Sequence, residues 1–237
     1  MVRLGLINCD PLSPQVIEQY GDYPTMFANF FASTRYPITW TVFDAVNQAL
    51  PENVHDFDAY VITGSRYGVL DPDPWIQMLL TFIQQLWKSQ IKTIGICFGH
   101  QAIAQALGGQ VNRAANGWGL GVSKATILEQ KPWMKPWQPA FQVCVSHQDQ
   151  VLKLPPHAQC LAKTNHSPIA MMELGEIFLS FQGHPEFNQT YARYLIEKRK
   201  GLFEAEIYEN FISSLSLSID TELLANWVVN FIVLPKR

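Results

Sequence analysis

Over its first half the chain alternates apolar runs of strand length with stretches of helical period, the arrangement expected of a mostly parallel sheet flanked by helices. Residues 2–8 (VRLGLIN) predict a first strand. Residues 15–33 carry Val16, Ile17, Tyr20, Phe27, Phe30 and Phe31 partly at helical spacing, interrupted by Gly21 and Pro24. Strands are expected at 38–43 (ITWTVF) and 58–63 (DAYVIT), with a turn holding Pro51, Asn53 and Asp56 between them. Ile76, Leu79, Leu80, Ile83 and Leu86 form an apolar stripe that predicts a helix over 75–90. Residues 91–96 (IKTIGI) read as the next strand, and 99–107 as a helix stopped by Gly108-Gly109.

From residue 110 the texture changes. Short β-like runs at 122–128, 141–146, 159–164, 169–173 and 177–181 are separated by turns containing Pro, Asn and Gly. They predict antiparallel hairpins appended to the parallel sheet, not further strand–helix units. Helices are expected at 189–200, with Asn188 as N-cap and Gly201 just past the end, then near 203–215 and 221–234. No repeat or low-complexity linker divides the chain, so it reads as a single domain over 1–237: a core to about residue 190 and a helical C-terminal tail beyond it.

Composition narrows the function classes. Hydrophobic residues make up 48% of the 237 residues and charged residues 16%, below the roughly 25% charged that is usual, so much of the chain is interior and disorder is excluded. Seventeen basic residues stand against 20 acidic ones, net −3, spread along the sequence. That gives no footprint for nucleic acid or an anionic membrane, and a small neutral or zwitterionic ligand fits better. No apolar run approaches the ~18 residues of a membrane span, and the N-terminus enters a strand without a signal-peptide pattern, so a cytoplasmic protein is expected. Cys9, Cys97, Cys144 and Cys160 are widely separated and read as free thiols, one of them a candidate for reactivity.

The most specific stretch is Gly95-Ile96-Cys97-Phe98-Gly99-His100-Gln101, between a predicted strand and a predicted helix. Glycine two before and two after a nucleophile suits a tight elbow, because side chains at those positions would collide with the neighbouring strand and helix. The helix N-terminus then favours the thiolate of Cys97, and the Phe98 backbone N–H can meet an oxyanion formed beside it. A thiolate needs a base, and of His55, His100, His147, His157, His166 and His184 the last stands out. It lies in Gly183-His184-Pro185-Glu186-Phe187, where Glu186 can orient the imidazole across the rigid proline. The plainer readings are a buried structural Cys97 and a surface His–Glu pair.

Together, GICFGHQ and the later GHPEF resemble the class I glutamine amidotransferases over residues 40 to 190. Within that family the chain is similar to stand-alone relatives of the glutaminase domain of GMP synthetase, a group that includes plant γ-glutamyl peptidases. The resemblance implies a flavodoxin-like α/β fold and a triad with Cys97 as nucleophile, His184 as general base and acid, and Glu186 as orienting carboxylate. It implies oxyanion donors at the Ser65 and Phe98 amides, although the family's Gly-Gly-Pro is Gly64-Ser65-Arg66 here. A Ser-His-x-Asp segment, Ser146-His147-Gln148-Asp149, is implied to line the substrate pocket with Gly64 and Gln101. The implied reaction cleaves a γ-glutamyl amide through a thioester, with no metal or organic cofactor.

Three alternatives remain open. The pairs Cys97-x-x-His100 and Cys144-x-x-His147 have the ligand types of a zinc site. The chain also fits a non-catalytic relative kept as a binding or regulatory module. Among enzymes, it carries no Ser-Gly-Gly-x-Asp-Ser pyrophosphatase loop and no phosphate loop. An amidotransferase would therefore need a separate ammonia-accepting synthetase as partner, whereas a γ-glutamyl peptidase would need none. The loop 66–75 reads as a lid or a proline-fixed surface loop. Lys131 to Trp137 reads as a docking tip or a tryptophan-anchored turn, and Lys198, Arg199 and Lys200 as cations complementing a helix C-terminus.

Overall fold

The computed structural model describes residues 1–235, and Lys236 and Arg237 of the expected tail lie outside the described residues. Strands β1 (Val2–Asn8), β2 (Ile38–Asp44), β3 (Ala59–Ile62) and β4 (Lys92–Ile96) follow the expected positions within a residue or two. The later strands are β5 (Gln110–Arg113), β6 (Gly119–Ile127), β7 (Ala140–His147), β8 (Asp149–Lys153), β9 (Ala158–Lys163), β10 (Met171–Leu174) and β11 (Phe178–Phe181). Among the described residues, nine form one sheet in the order β2-β1-β3-β4-β11-β10-β9-β6-β7. Pairing is parallel from β2 to β11 and antiparallel from β11 to β7. A mostly parallel half with an antiparallel extension is the architecture the sequence predicts.

Three details differ from the expectation. Residues 177–181, grouped above with the hairpins, form a strand that is antiparallel to β10 on one side and parallel to β4 on the other, with Phe181 opposite Ile96. Strands β5 and β8, too short and polar to stand out, make a separate two-stranded sheet. The helical region 15–33 is two helices, α1 (Pro14–Tyr20) and α2 (Tyr23–Phe31). Gly21 adopts φ +82 between them, and the Asp22 side chain caps α2 by accepting from the Thr25 N–H at 2.9 Å.

The remaining helices are α3 (Pro74–Lys88), α4 (Phe98–Ala106), α5 (Gln189–Glu197), α6 (Ala205–Ser214) and α7 (Thr221–Val233). Alternating strand residues feed opposite faces, as period-two geometry requires of strands covered on both sides. Leu4, Leu6, Val61 and Ile94 enter a core with α2, α5 and α7, while Ile7, Tyr60 and Ile62 enter a second core with α3 and α4. Gly201 lies in a short 3-10 turn, Lys200–Leu202, that follows α5. Trp133 is buried against Trp227 and Phe231 of α7, with ring centroids 6.3 and 5.7 Å away, so residues 131–137 form a tryptophan-anchored turn.

Candidate active site

Strand β4 delivers Cys97 at its C-terminal end, and Cys97 is at once the N-cap of α4. Its backbone holds φ +49, ψ −96, a region that L-residues rarely occupy. The flanking glycines make the turn possible. A Cβ at Gly95 would stand 2.7 Å from the Gly99 carbonyl oxygen, and one at Gly99 would stand 2.4 Å from that of Ile62. The elbow is thus locked between β3, β4 and α4. The Cys97 thiol lies 4.0 Å from the Ser146 carbonyl oxygen and 3.6 Å from Gln182 Nε2, which donates to it.

Strand β11 brings His184 to the same sheet edge. Since β4 and β11 are parallel neighbours, the segments leaving both C-terminal ends emerge together, and the Cys97 N–H donates to Phe181 O at 2.8 Å. His184 is fixed by its N–H, which donates to Cys144 O at 2.7 Å, and by its ring, which stacks on Phe187 with centroids 3.9 Å apart and planes 6° off parallel. Its Nδ1 lies 2.8 Å from Glu186 Oε1. Both side chains are buried. Burial alone lowers a histidine pKa, but here the negative charge of Cys97, then that of Glu186, with the hydrogen bond to Glu186, outweighs it and raises His184 to about 10. Cys97, His184 and Glu186 therefore form one contiguous cluster.

The loop after β3 closes over this cluster. The Thr63 hydroxyl accepts from the Cys9 N–H at 2.9 Å and donates to Gly64 O at 2.9 Å. Because N–H and C=O point oppositely across a trans peptide, that anchor turns the Ser65 N–H away from Thr63. Ser65 Oγ donates to Cys9 O at 2.6 Å. Ser65 does not have a positive φ, so the serine sits in this turn without left-handed backbone strain. Gly64 does need to be glycine, because a Cβ there would lie 2.6 Å from His184 Cε1. Asp10, after β1, holds the next residue: it accepts from the Arg66 N–H at 3.1 Å and pairs with Arg66 Nε at 2.6 Å. Burial raises the Asp10 pKa against the pull of Arg66.

A cleft of about 290 Å³ opens on the Cys97 side, walled by Ser65, Phe98, Gln101, Ser146, His147 and Gln148 among others. Gln101 is buried, and its Nε2 donates to Asp149 O at 2.7 Å and to Gln182 Oε1 at 3.3 Å, tying α4 to the 146–149 segment. His147 turns its Nδ1 to Asp149 O at 3.1 Å and its ring against His166, and burial lowers its pKa to about 3. The Gln148 carbonyl accepts from the Ala114 N–H at 2.8 Å. The 66–75 loop is anchored by Trp75, which is buried between Tyr67 and Phe98.

His100, of the first Cys-x-x-His pair, is buried with Nδ1 2.8 Å from Ser180 Oγ, and burial lowers its pKa to about 3. Among the described residues no group of three or more His, Cys, Asp or Glu side chains is placed to hold a metal ion. No helix among them is long and apolar enough to cross a membrane.

The sequence model of class I glutamine amidotransferases matches residues 15–200, most of the chain. The chain belongs to that family. This class I member is 32% identical to γ-glutamyl peptidase 3 of Arabidopsis thaliana over 194 residues, covering 78% of the chain and 76% of that relative. Its likeness to γ-glutamyl peptidase 2 of the same plant, at 28% identity, spans 97% of the chain and 95% of the peptidase. It is also 28% identical to a glutamine-hydrolysing GMP synthase subunit of Sulfolobus acidocaldarius over 162 residues, 68% of the chain and 78% of that relative. The crystal structure of a glutamine amidotransferase from Thermotoga maritima shares the fold, with a TM-score of 0.73 at 18% identity, covering 98% of the chain and 96% of that structure.

Several side chains around the cluster carry no motif in the sequence. Asp10 and Gln182 flank the expected strands without a pattern of their own, Gln182 being adjacent to the Gly-His-Pro-Glu segment. Phe187 reads as an ordinary apolar residue until its ring is found under His184. Arg199, expected to serve only the C-terminus of α5, lines the cleft as well, its guanidinium 4.6 Å from the Trp118 ring.

Proposed function

We propose that the protein hydrolyses a γ-glutamyl amide, releasing ammonia or an amine, with Cys97 as nucleophile, His184 as base and acid and Glu186 as orienting carboxylate. The observation that carries this is the arrangement of the three side chains: Cys97 and His184 leave the C-terminal ends of the adjacent parallel strands β4 and β11 together, and His184 Nδ1 lies 2.8 Å from Glu186 Oε1. Thiolate Sγ attacks the amide carbon, a C–S bond forms, and the carbonyl π electrons move to oxygen. We assign the amides of Ser65 and Phe98 to that oxyanion, with the Gly64–Ser65 peptide held by Thr63. Collapse breaks the C–N bond as His184 passes its proton to the departing nitrogen. Water then gives a proton to His184 and attacks the thioester, and glutamate leaves as Cys97 thiolate is restored beside the imidazolium.

The γ-glutamyl peptidase relatives, one of them matched over 97% of the chain, support a hydrolase acting without a partner. The GMP synthase relative supports a second reading, in which ammonia passes to a separate synthetase. Assay of ammonia from glutamine beside amine release from γ-glutamyl peptides decides between them. Faster peptide cleavage favours the peptidase, and faster glutamine hydrolysis favours the amidotransferase. Undiminished activity in Cys97→Ala would remove Cys97 from the mechanism.

A further inference from the structure

Two clefts meet at the cluster, and they divide its residues. Cys97, Phe98 and Gln101 line the larger one, while His184 lines a second of about 130 Å³ together with Asp10, Tyr23, Phe187 and Tyr191. Ser65, Arg66, Ser146 and Arg199 belong to both. The chemistry assigns each side a half of the substrate. The acyl group bonds to Cys97, whereas the leaving nitrogen must be within reach of the acid that protonates it. The acyl half therefore occupies the Cys97 side and the leaving half the His184 side. A cleft of about 130 Å³ is several times the roughly 10–15 Å³ that one water-sized molecule such as ammonia needs, so it has room for a larger amine.

Charge in the second cleft is unequal. Arg66, Lys198 and Arg199 face a single carboxylate, Asp10, and both oxygens of Asp10 are taken by Arg66. Arg199 is held over the Trp118 ring, its Cζ 4.6 Å from the centroid, and by one bond, Nη1 to Leu195 O at 2.8 Å, and burial lowers its pKa. Among the described residues no carboxylate lies within ion-pair distance of it. A partly desolvated guanidinium with unused donors and no carboxylate partner is a receptor for a substrate carboxylate.

We propose that the His184-side cleft is a leaving-group subsite in which Arg199 binds a carboxylate on the departing amine. Its preferred substrates are γ-glutamyl amino acids or peptides with a free C-terminus, not glutamine. This rests on the hydrolase reading above and adds to it the class of leaving group.

The test compares γ-glutamylalanine with γ-glutamylalaninamide, with glutamine as reference, on wild type, Arg199→Gln and Arg199→Lys. Wild type should favour the free acid by about tenfold to a hundredfold in kcat/KM, chiefly through KM, the range for a charge-assisted bond. In Arg199→Gln that ratio should fall to near one, and Arg199→Lys should restore part of it. Because the ratio is taken within one protein sample, partial unfolding cancels. Equal wild-type rates on acid and amide overturn the proposal. So does an unchanged ratio in Arg199→Gln, which would put Arg199 on the glutamyl half or in the fold alone. Cleavage of glutamine only, with Cys97 labelled by a glutamine-like electrophile, overturns this inference and leaves the hydrolase reading standing. No turnover and no labelling overturns both.

Discussion

At His184, Glu186 and Cys97 act on one ring from two sides while Phe187 fixes its plane. Glu186→Gln keeps the shape but removes one of the two charges that raise the His184 pKa, so that pKa falls. The alkaline limb of kcat/KM should move to lower pH, and kcat should drop by about 10²–10⁴-fold, both read from a pH–rate profile. Stability shifts in the same sense. A histidine raised from 6.5 to about 10 contributes stability that is complete below pH 6.5 and lost as pH rises toward 10. The variant should therefore lose less on that rise than wild type, as urea titrations at pH 6 and pH 9.5 would show. Gly64→Ala tests the same ring sterically. Its Cβ would meet His184 Cε1 at 2.6 Å, and displacing the imidazole by about 1 Å should cost roughly 10²-fold in kcat. A variant with wild-type kcat would show that the ring tolerates the shift.

The cysteine, histidine and glutamate were legible because each belongs to a short segment whose glycines and proline are set by local backbone geometry. Asp10 and Arg199 were not, since they reach the cleft from opposite ends of the chain and carry no local pattern.

Among elements, β11 does most to assemble the site. Its sequence, FLSF, is as apolar as any hairpin strand, and only pairing shows that it joins the antiparallel half to β4. The strands β5 and β8 mix polar and apolar residues without period, and so they escaped a reading based on patterning. Helix α6 shows the reverse case: it falls within the helix expected near 203–215 although none of its residues is fully buried. It is fastened to β6 by Ser214, whose Oγ accepts from the Val122 N–H at 3.0 Å beside Gly121 at φ +90. Ser214→Ala leaves that N–H unpaired and should destabilise by about 1–3 kcal/mol. For a chain of this length that lowers Tm by roughly 2–4 °C per kcal/mol, measurable by calorimetry. An unchanged Tm would mean that α6 docks independently of this bond.

Across the whole molecule, two cores on opposite faces of one sheet hold the site's edge rigid. Helix α7 shares a core with β4 and β1, and Trp227 is fully buried there, its Nε1 donating to Pro136 O at 2.8 Å. We propose that the C-terminal helices are part of a single folding unit with the rest. Trp227→Ala should cost about 3–5 kcal/mol, a large share of the roughly 5–15 kcal/mol of a typical domain. One cooperative denaturation transition shifted to lower denaturant is expected. Two separate transitions would show that the tail folds apart.

The central claim is that the elbow cysteine carries the γ-glutamyl group through a covalent intermediate. Its most direct measurement is acid quenching during turnover of a γ-glutamyl substrate, followed by mass spectrometry of the peptide containing Cys97. A γ-glutamyl adduct on Cys97 is expected in wild type, accumulating in His184→Ala in the presence of a reactive γ-glutamyl ester. Substrate turnover with Cys97 unmodified under every quench condition, or an adduct carried by another side chain, would contradict it.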